Sequence, residues 1–380
     1  MRPLEGLLVL DFSQFLAGPW AATRLADLGA RVIKIERPGG GDICRQLYIS
    51  NLALDGDSTL FHSINRNKQS YAADLKQPAD LAAVRQLIAR ADVLIQNFRP
   101  GVMERIGLGY EACAELNPRL VYGVVTGYGA EGPWVGKPGQ DLLAQSVSGL
   151  TWLNGNADQP PLAFGLSIAD LAASAHLVQG LLASLLRRAT TGRGALVEVS
   201  LLESVLDLQF ELTTTFLNDG GKRPERSAIN NANAYLGAPY GIYATADGFL
   251  ALAMGPIVKL GELLALPALA AFGDPQTWFT HRDEIKRLIA AHLVAQPTRH
   301  WLARLEPADY WCAEVLDWNR LWQTDAFKAL NFVQTVAREN GPTLQTTRCP
   351  IRIDRELYTA PLGAPRVGQH TAAIQTEFNL

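Results

Sequence analysis

Two aspartates carry most of the chemistry this chain could do. Asp170 stands in the run Gly165-Leu166-Ser167-Ile168-Ala169-Asp170-Leu171-Ala172-Ala173-Ser174, at the mouth of a long apolar segment rich in small residues. Asp141 stands about thirty residues earlier, in Pro138-Gly139-Gln140-Asp141-Leu142-Leu143. An aspartate ahead of an apolar run has two readings. It can cap a helix, accepting hydrogen bonds from the first free N–H groups. It can instead be a working carboxylate, a nucleophile or one half of an acid/base pair. No Gly-x-Ser-x-Gly elbow is present, and no Cys or Ser is paired with a His in a recognisable catalytic motif. Catalysis therefore rests on carboxylates or on the ligand's own chemistry.

Basic residues and glycines recur near these acids. Lys34-Ile35-Glu36-Arg37-Pro38-Gly39-Gly40-Gly41 ends an apolar run with a loop whose backbone can approach a phosphate. Asn65-Arg66-Asn67-Lys68 and Lys76 add basic groups. In Asn97-Phe98-Arg99-Pro100-Gly101, Phe98 could stack on a base, while Arg99 or the later Arg105 could meet phosphates. Gly127-Tyr128-Gly129-Ala130-Glu131-Gly132-Pro133 is a glycine-rich loop. Each segment alone reads as a solvated turn. Four basic signals at the ends of neighbouring strands point to one anionic ligand.

The elements that position them follow an α/β pattern. The continuous apolar run at 7–11 reads as a strand buried on both faces, and 32–36, 93–97, 120–125 and 196–201 read as four further strands. Helical stretches fall at 20–28, 81–91, 141–150, 168–188 and 203–218, with Gly29 closing the first. Parallel strands need crossover helices, so the expected fold is an open parallel sheet with ligand sites at the strand C-terminal ends. The texture changes at Asp219-Gly220-Gly221-Lys222. An Asn-rich loop and an Asp247-Gly248 hairpin follow, then helices at 256–264, 282–294 and 298–305. The expected organisation is a large Rossmann-like domain over 1–220, a small α+β domain over 221–325, and a segment over 326–380 with little regular pattern that returns to the large domain, its closing run 360–370 an extended tail.

Bulk properties narrow the function. The chain has 380 residues and a formal net charge of −3, which argues against non-specific nucleic-acid binding. The start lacks an apolar signal region, and no run of 18 apolar residues is uninterrupted, so neither secretion nor a membrane span is expected. Cys44, Cys113, Cys312 and Cys349 form no CxxC pair, and the six histidines form no HExxH or His-x-x-x-His pair. Reduced thiols, a cytoplasmic location and no metal are the expectation.

The motifs also arrive in a familiar order. Asp11-Phe12-Ser13, Ala17-Gly18-Pro19, the Lys34, Asn65 and Asn97 segments, the Gly127 loop, Ala169-Asp170-Leu171, Gly192-Arg193-Gly194 and Gly368-Gln369-His370-Thr371 together resemble the family III CoA-transferases, the CaiB/BaiF group that includes formyl-CoA and carnitine CoA-transferases. The resemblance covers nearly the whole chain and is weakest over 255–345. It implies an interlocked homodimer of two threaded rings, with acyl-CoA and small carboxylates as substrates and no tightly bound cofactor. It also implies that Asp170 is a nucleophile forming an aspartyl anhydride and then an aspartyl-CoA thioester. Asp141 falls on a second acidic position near the site. Ala17, Arg37, Lys76, Asn97, Phe98, Arg105 and Lys137 fall on CoA-contact positions. Asn230 and Asn231 stand where formyl-CoA transferases carry a glycine-rich loop, so formyl or oxalate specificity does not carry over. The rival within the superfamily is a 2-methylacyl-CoA racemase. Racemases have His before the first acid, where this chain has Gln140, and a Glu where it has Met254-Gly255-Pro256-Ile257-Val258. A non-catalytic CoA-binding paralogue is the third alternative.

Overall fold

The protein, seen in a computed structural model, is described over residues 2–380, with Ser50 by its backbone only. It forms two compact units. The first comprises the chain up to Ala144, Ser167–Leu208 and Ala329–Leu380; the second comprises Gln145–Leu166 and Gln209–Lys328. The expected boundaries at 220/221 and 325/326 are thus displaced, and 145–166 belongs to the second unit. The single helix expected over 203–218 is two helices, Leu201–Asp207 and Phe210–Asn218, and the boundary falls in the break between them.

The first unit is built on six strands: β1 (Leu8–Asp11), β2 (Arg31–Glu36), β3 (Gln69–Ala72), β4 (Val93–Gln96), β5 (Val121–Thr126) and β6 (Ala195–Ser200). Their order is β3-β2-β1-β4-β5-β6. Every neighbouring pair is parallel, with Leu10 opposite both Ile33 and Leu94. Apolar runs identify five of these strands. β3 escapes that signal because it is short and polar, and the chain entering it is held by buried ions. Arg66 pairs with Asp27 at 2.8 Å, and Lys68 with Asp11 at 2.8 Å.

The helices that position the site are α1 (Ala17–Asp27), α2 (Pro78–Ile88), α3 (Asp141–Val147), α4 (Ile168–Thr191) and α5 (Leu201–Asp207). After α1 the chain reverses at Gly29, whose φ of +111° suits glycine. Among the described residues, α4 is the one helix long and apolar enough to cross a membrane by length and composition. It packs on β5, β6, α1 and α5 within the first unit. It also carries Asp170 and Arg188, the latter paired with Asp92 at 2.7 Å. Its apolar character is that of a helix lying on a sheet.

The second unit holds α6 (Phe210–Asn218), β7 (Gly241–Ala244), β8 (Phe249–Leu252), α7 (Ile257–Leu264), α8 (Arg282–Leu293), α9 (Thr298–Leu305) and β9 (Cys312–Glu314). β7 and β8 pair antiparallel around the Asp247-Gly248 turn, and β9 adds a third strand. The helices bury Ile257, Leu260, Ile285, Ile289 and Trp301 against Tyr243, Leu250 and Leu252.

The C-terminal stretch is more regular than its sequence suggests, although 360–370 itself holds no helix or strand. β10 (Val333–Ala337) and β11 (Thr343–Thr347) form a hairpin, and α10 (Thr371–Phe378) ends the chain. Ile374 and Phe378 enter the same core as Leu10, Ile35, Leu87 and Leu94. Each apolar side chain so buried contributes roughly 1.5–3 kcal/mol, enough to dock so short a helix.

Candidate active site

In a doubly wound sheet the ligand crevice opens at the strand C-terminal ends where the order reverses. Here that point lies between β1 and β4. The chain steps from β1 to β2 and β3, then crosses back to β4 and steps outward again. A cavity of about 420 Å³ opens there. Its wall takes Phe15, Leu16 and Ala17 from the β1 loop, Asn97, Phe98 and Arg99 from the β4 loop, and Thr126 and Gly127 from the end of β5. Four helices also begin at this wall, contributing Ala17 from α1, Asp141 from α3, Asp170 from α4 and Leu201 from α5. Helix N-termini carry unpaired N–H groups and partial positive charge, so the cavity favours anions.

Asp170 is the third residue of α4, and it is half-buried. Ser167 occupies the N-cap position, but its side chain accepts no capping hydrogen bond. Asp141 acts instead. Its Oδ1 accepts from the N–H of Ala169 at 2.8 Å and of Asp170 at 3.3 Å. One aspartate therefore caps the helix that carries the other, and Asp170 is not the cap. The backbone N–H of Ala17, at the start of α1, instead favours the ionised form of the Asp170 carboxyl. Burial pushes its pKa up, the nearby Asp141 charge adds to the rise, and the Ala17 N–H opposes both; the result is about 7.

Two close approaches fix these positions. A Cβ on Gly127 would fall 2.5 Å from the Cα of Gly139, so the loop leading to Asp141 lies directly on the end of β5. The Asn97 side chain grips the backbone of Gln14 at both ends: Oδ1 accepts from the Gln14 N–H at 2.8 Å, and Nδ2 donates to its carbonyl at 2.7 Å. Phe15, next along, has φ +63°. A side chain in that left-handed region costs on the order of 1 kcal/mol, so the surroundings must hold it there.

Residues 4–371 match the model of CoA-transferase family III. The chain belongs to that family. The acetyl-CoA:oxalate CoA-transferase of Acetobacter aceti is 34% identical to it, over 99% of this chain and 96% of its own. The succinate–glutarate CoA-transferase of Agrobacterium fabrum is 30% identical over the same shares, 99% and 96%. Among solved structures, a CAIB/BAIF family protein from Brucella suis is similar with a TM-score of 0.84 and 30% identity, covering 99% of both chains.

In this family III CoA-transferase, eight of the residues singled out by sequence line the one cavity: Ala17, Asn97, Phe98, Arg99, Lys137, Gln140, Asp141 and Asp170. Arg37, Lys76 and Arg105 do not line it. All three are exposed, Arg37 directly after β2, Lys76 just beyond β3, and Arg105 in a short helix after β4. Arg99 is the arginine in the cavity wall. Asn230 and Asn231 lie in the second unit. There Lys286 of α8 donates to the Asn230 carbonyl at 3.1 Å, and the Asn231 N–H donates to Asn156 Oδ1 at 3.0 Å.

Three of the basic residues read as anion-binding are otherwise engaged. Lys34, Arg66 and Lys68 are buried against Asp42, Asp27 and Asp11. Phe15, Leu16 and Leu201 of the wall carry no sequence signal beyond their place after a strand.

Proposed function

We propose that this protein moves coenzyme A from an acyl-CoA donor to a carboxylic acid acceptor through covalent intermediates on Asp170. The observation that carries this reading is the Asp170 carboxylate itself. It faces the switch-point cavity at the start of a long helix, shares that wall with Ala17, and has no His or Cys beside it there.

An Asp170 oxygen attacks the donor's thioester carbon. The tetrahedral oxyanion collapses, the C–S bond breaks, and CoA leaves as thiolate, giving a mixed anhydride. The thiolate then attacks the aspartyl carbonyl, releasing the donor acid and leaving an aspartyl-CoA thioester. An acceptor carboxylate repeats the exchange in reverse and restores Asp170. No net proton is moved, so no acid/base partner is required. The Ala17 N–H and the first turns of the helices supply donors for the oxyanions. Phe98, Arg99 and Lys137 sit where a nucleotide could stack and phosphates pair, with Arg37, Lys76 and Arg105 further along the same edge of the sheet.

The test is a donor–acceptor panel beginning with the acids named for the relatives: acetyl-CoA and succinyl-CoA as donors, oxalate, glutarate and succinate as acceptors. Mass spectrometry should show a new acyl-CoA without accumulation of free CoA. A parallel incubation of an α-methyl acyl-CoA in D₂O should show no α-deuterium uptake. Uptake without transfer would replace the proposal with racemisation.

The nucleophile must be ionised, and its pKa is raised to about 7. Activity is therefore present above that pH and lost as pH falls through it. We expect kcat/KM for transfer to drop about tenfold per unit below pH 7. A flat profile from pH 5 to 8 would contradict a carboxylate in that environment.

An interlocked homodimer is part of the same reading. Leu186, Phe210, Leu217 and Trp318 are 76%, 67%, 69% and 78% exposed, side chains that a second copy could cover. Threaded rings separate only by unfolding, so light scattering should give twice 41.3 kDa at every dilution. A monomer at low concentration would exclude interlocking.

A further inference from the structure

Beneath the cavity lies a cluster of four charged groups that never reaches it. Asp11, Lys34, Asp42 and Lys68 are 0%, 1%, 2% and 2% exposed, and none lines the cavity. All four touch one loop. Lys34 Nζ donates to the Ser13 carbonyl at 2.6 Å and pairs with Asp42 at 2.9 Å and Asp11 at 3.8 Å. Lys68 Nζ donates to the Pro19 carbonyl and to Asp11, both at 2.8 Å, and to Asn65 Oδ1 at 2.9 Å. Asp11 accepts from the N–H and hydroxyl of Ser13, and Asp42 accepts from the Phe15 N–H at 3.3 Å.

Each end of the 13–19 segment is thus gripped by a lysine, and the lysines are joined through Asp11. Asn97 grips the middle through Gln14. Between the grips the segment presents Phe15, Leu16 and Ala17 to the cavity, with Phe15 held at φ +63°.

Stability alone does not explain such a cluster. Burying an ion costs several kcal/mol, and well-packed apolar residues of similar volume usually serve as well or better. What the cluster supplies is geometry: a charge-neutral set in which each of the four groups makes one hydrogen bond to the main chain of the 13–19 segment. We propose that Lys34, Lys68 and Asn97 are positioning residues, which hold the 13–19 segment, and with it the Ala17 N–H, in the cavity wall that Asp170 shares. This rests on the reading of Asp170 as nucleophile. For Asn97 it replaces a direct CoA contact with a role carried through Gln14.

The experiment compares Asn97→Ala, the charge-neutral double variant Lys34→Gln/Asp42→Asn, and Asp170→Asn. For each, kcat and donor KM are measured from pH 5 to 9, with thermal unfolding as a check on folding. Loss of one oriented donor lowers kcat on the order of 100-fold. Donor KM stays within about threefold, since substrate contacts are kept. The acid limb of the rate profile moves to higher pH, because the N–H that opposes the raised Asp170 pKa is no longer held in place. A purely structural role would not move that limb.

A folded variant with kcat and acid limb unchanged would overturn the proposal. So would a rise in KM at constant kcat for Asn97→Ala, which would make Asn97 a CoA contact. If the buried double variant does not fold, the half-buried Asn97→Ala decides alone. Asp170→Asn separates the two layers. Activity retained there removes the nucleophile itself, whereas an inactive Asp170→Asn beside an unmoved limb in Asn97→Ala removes only the positioning role.

Discussion

Asp170→Asn is expected to reduce CoA transfer by on the order of 10⁴-fold or more, while CoA still binds. The amide matches the carboxylate in shape but has no charge to attack a thioester. Neither the helix cap nor the main chain around it depends on that charge, because Asp141 supplies the cap. Stability gives an independent check. The Asp170 pKa stands above its unfolded value, so the fold favours the protonated form, and that advantage is lost as pH rises through about 7. Asparagine is neutral at every pH and should leave the thermal midpoint at pH 8 equal to wild type or above it. Wild-type protein mixed with an acyl-CoA donor should yield a hydroxylamine-sensitive adduct on the peptide carrying residue 170, and the variant none. Full activity in a folded Asp170→Asn would assign the chemistry to another group.

Asp170 also shows where a sequence stops being informative. Locally it is an acid before an apolar run, and helix capping describes that pattern well. Its cap comes from Asp141, on a different helix, through a hydrogen bond across 28 residues of chain to Ala169. No local pattern encodes such a pairing; only the ordered set of motifs singled Asp170 out. The strands tell a similar story. β1, β2, β4 and β5 are mostly buried and show as apolar-rich runs, while the edge strand β6 leaves Leu196 and Glu198 exposed. β3 follows Arg66 and Lys68, whose charges are neutralised by Asp27 and Asp11 from other parts of the chain. Hydropathy counts those residues as surface, yet the fold buries them. The same blindness made Lys34 and Lys68 look like ligand-binding cations. Their partners Asp42 and Asp11 approach only once the sheet has formed. The C-terminal helix leaves no sequence signal for a different reason: α10 has eight residues, and its docking depends on Ile374 and Phe378 meeting a core built by distant strands.

Asp141 gives the other large effect, and two substitutions there divide its roles. Asp141→Asn keeps an oxygen where Oδ1 accepts from Ala169 and Asp170, but removes a negative charge. With that charge gone, one of the two causes raising the Asp170 pKa disappears, and the acid limb should move to lower pH with plateau kcat nearly unchanged. At pH 6 this variant should be faster than wild type. Asp141→Ala removes the acceptor as well. A lost cap costs about 1 kcal/mol, and the first turn of α4, which carries Asp170, loses its restraint. Plateau kcat should then fall on the order of 100-fold, since a nucleophile displaced by an ångström loses about that much. The pH profiles of the two variants also separate this reading from a two-base mechanism. An enzyme that used Asp141 to move a proton would lose activity in Asp141→Asn at every pH, whereas a cap and charge partner leaves an active enzyme with a shifted acid limb.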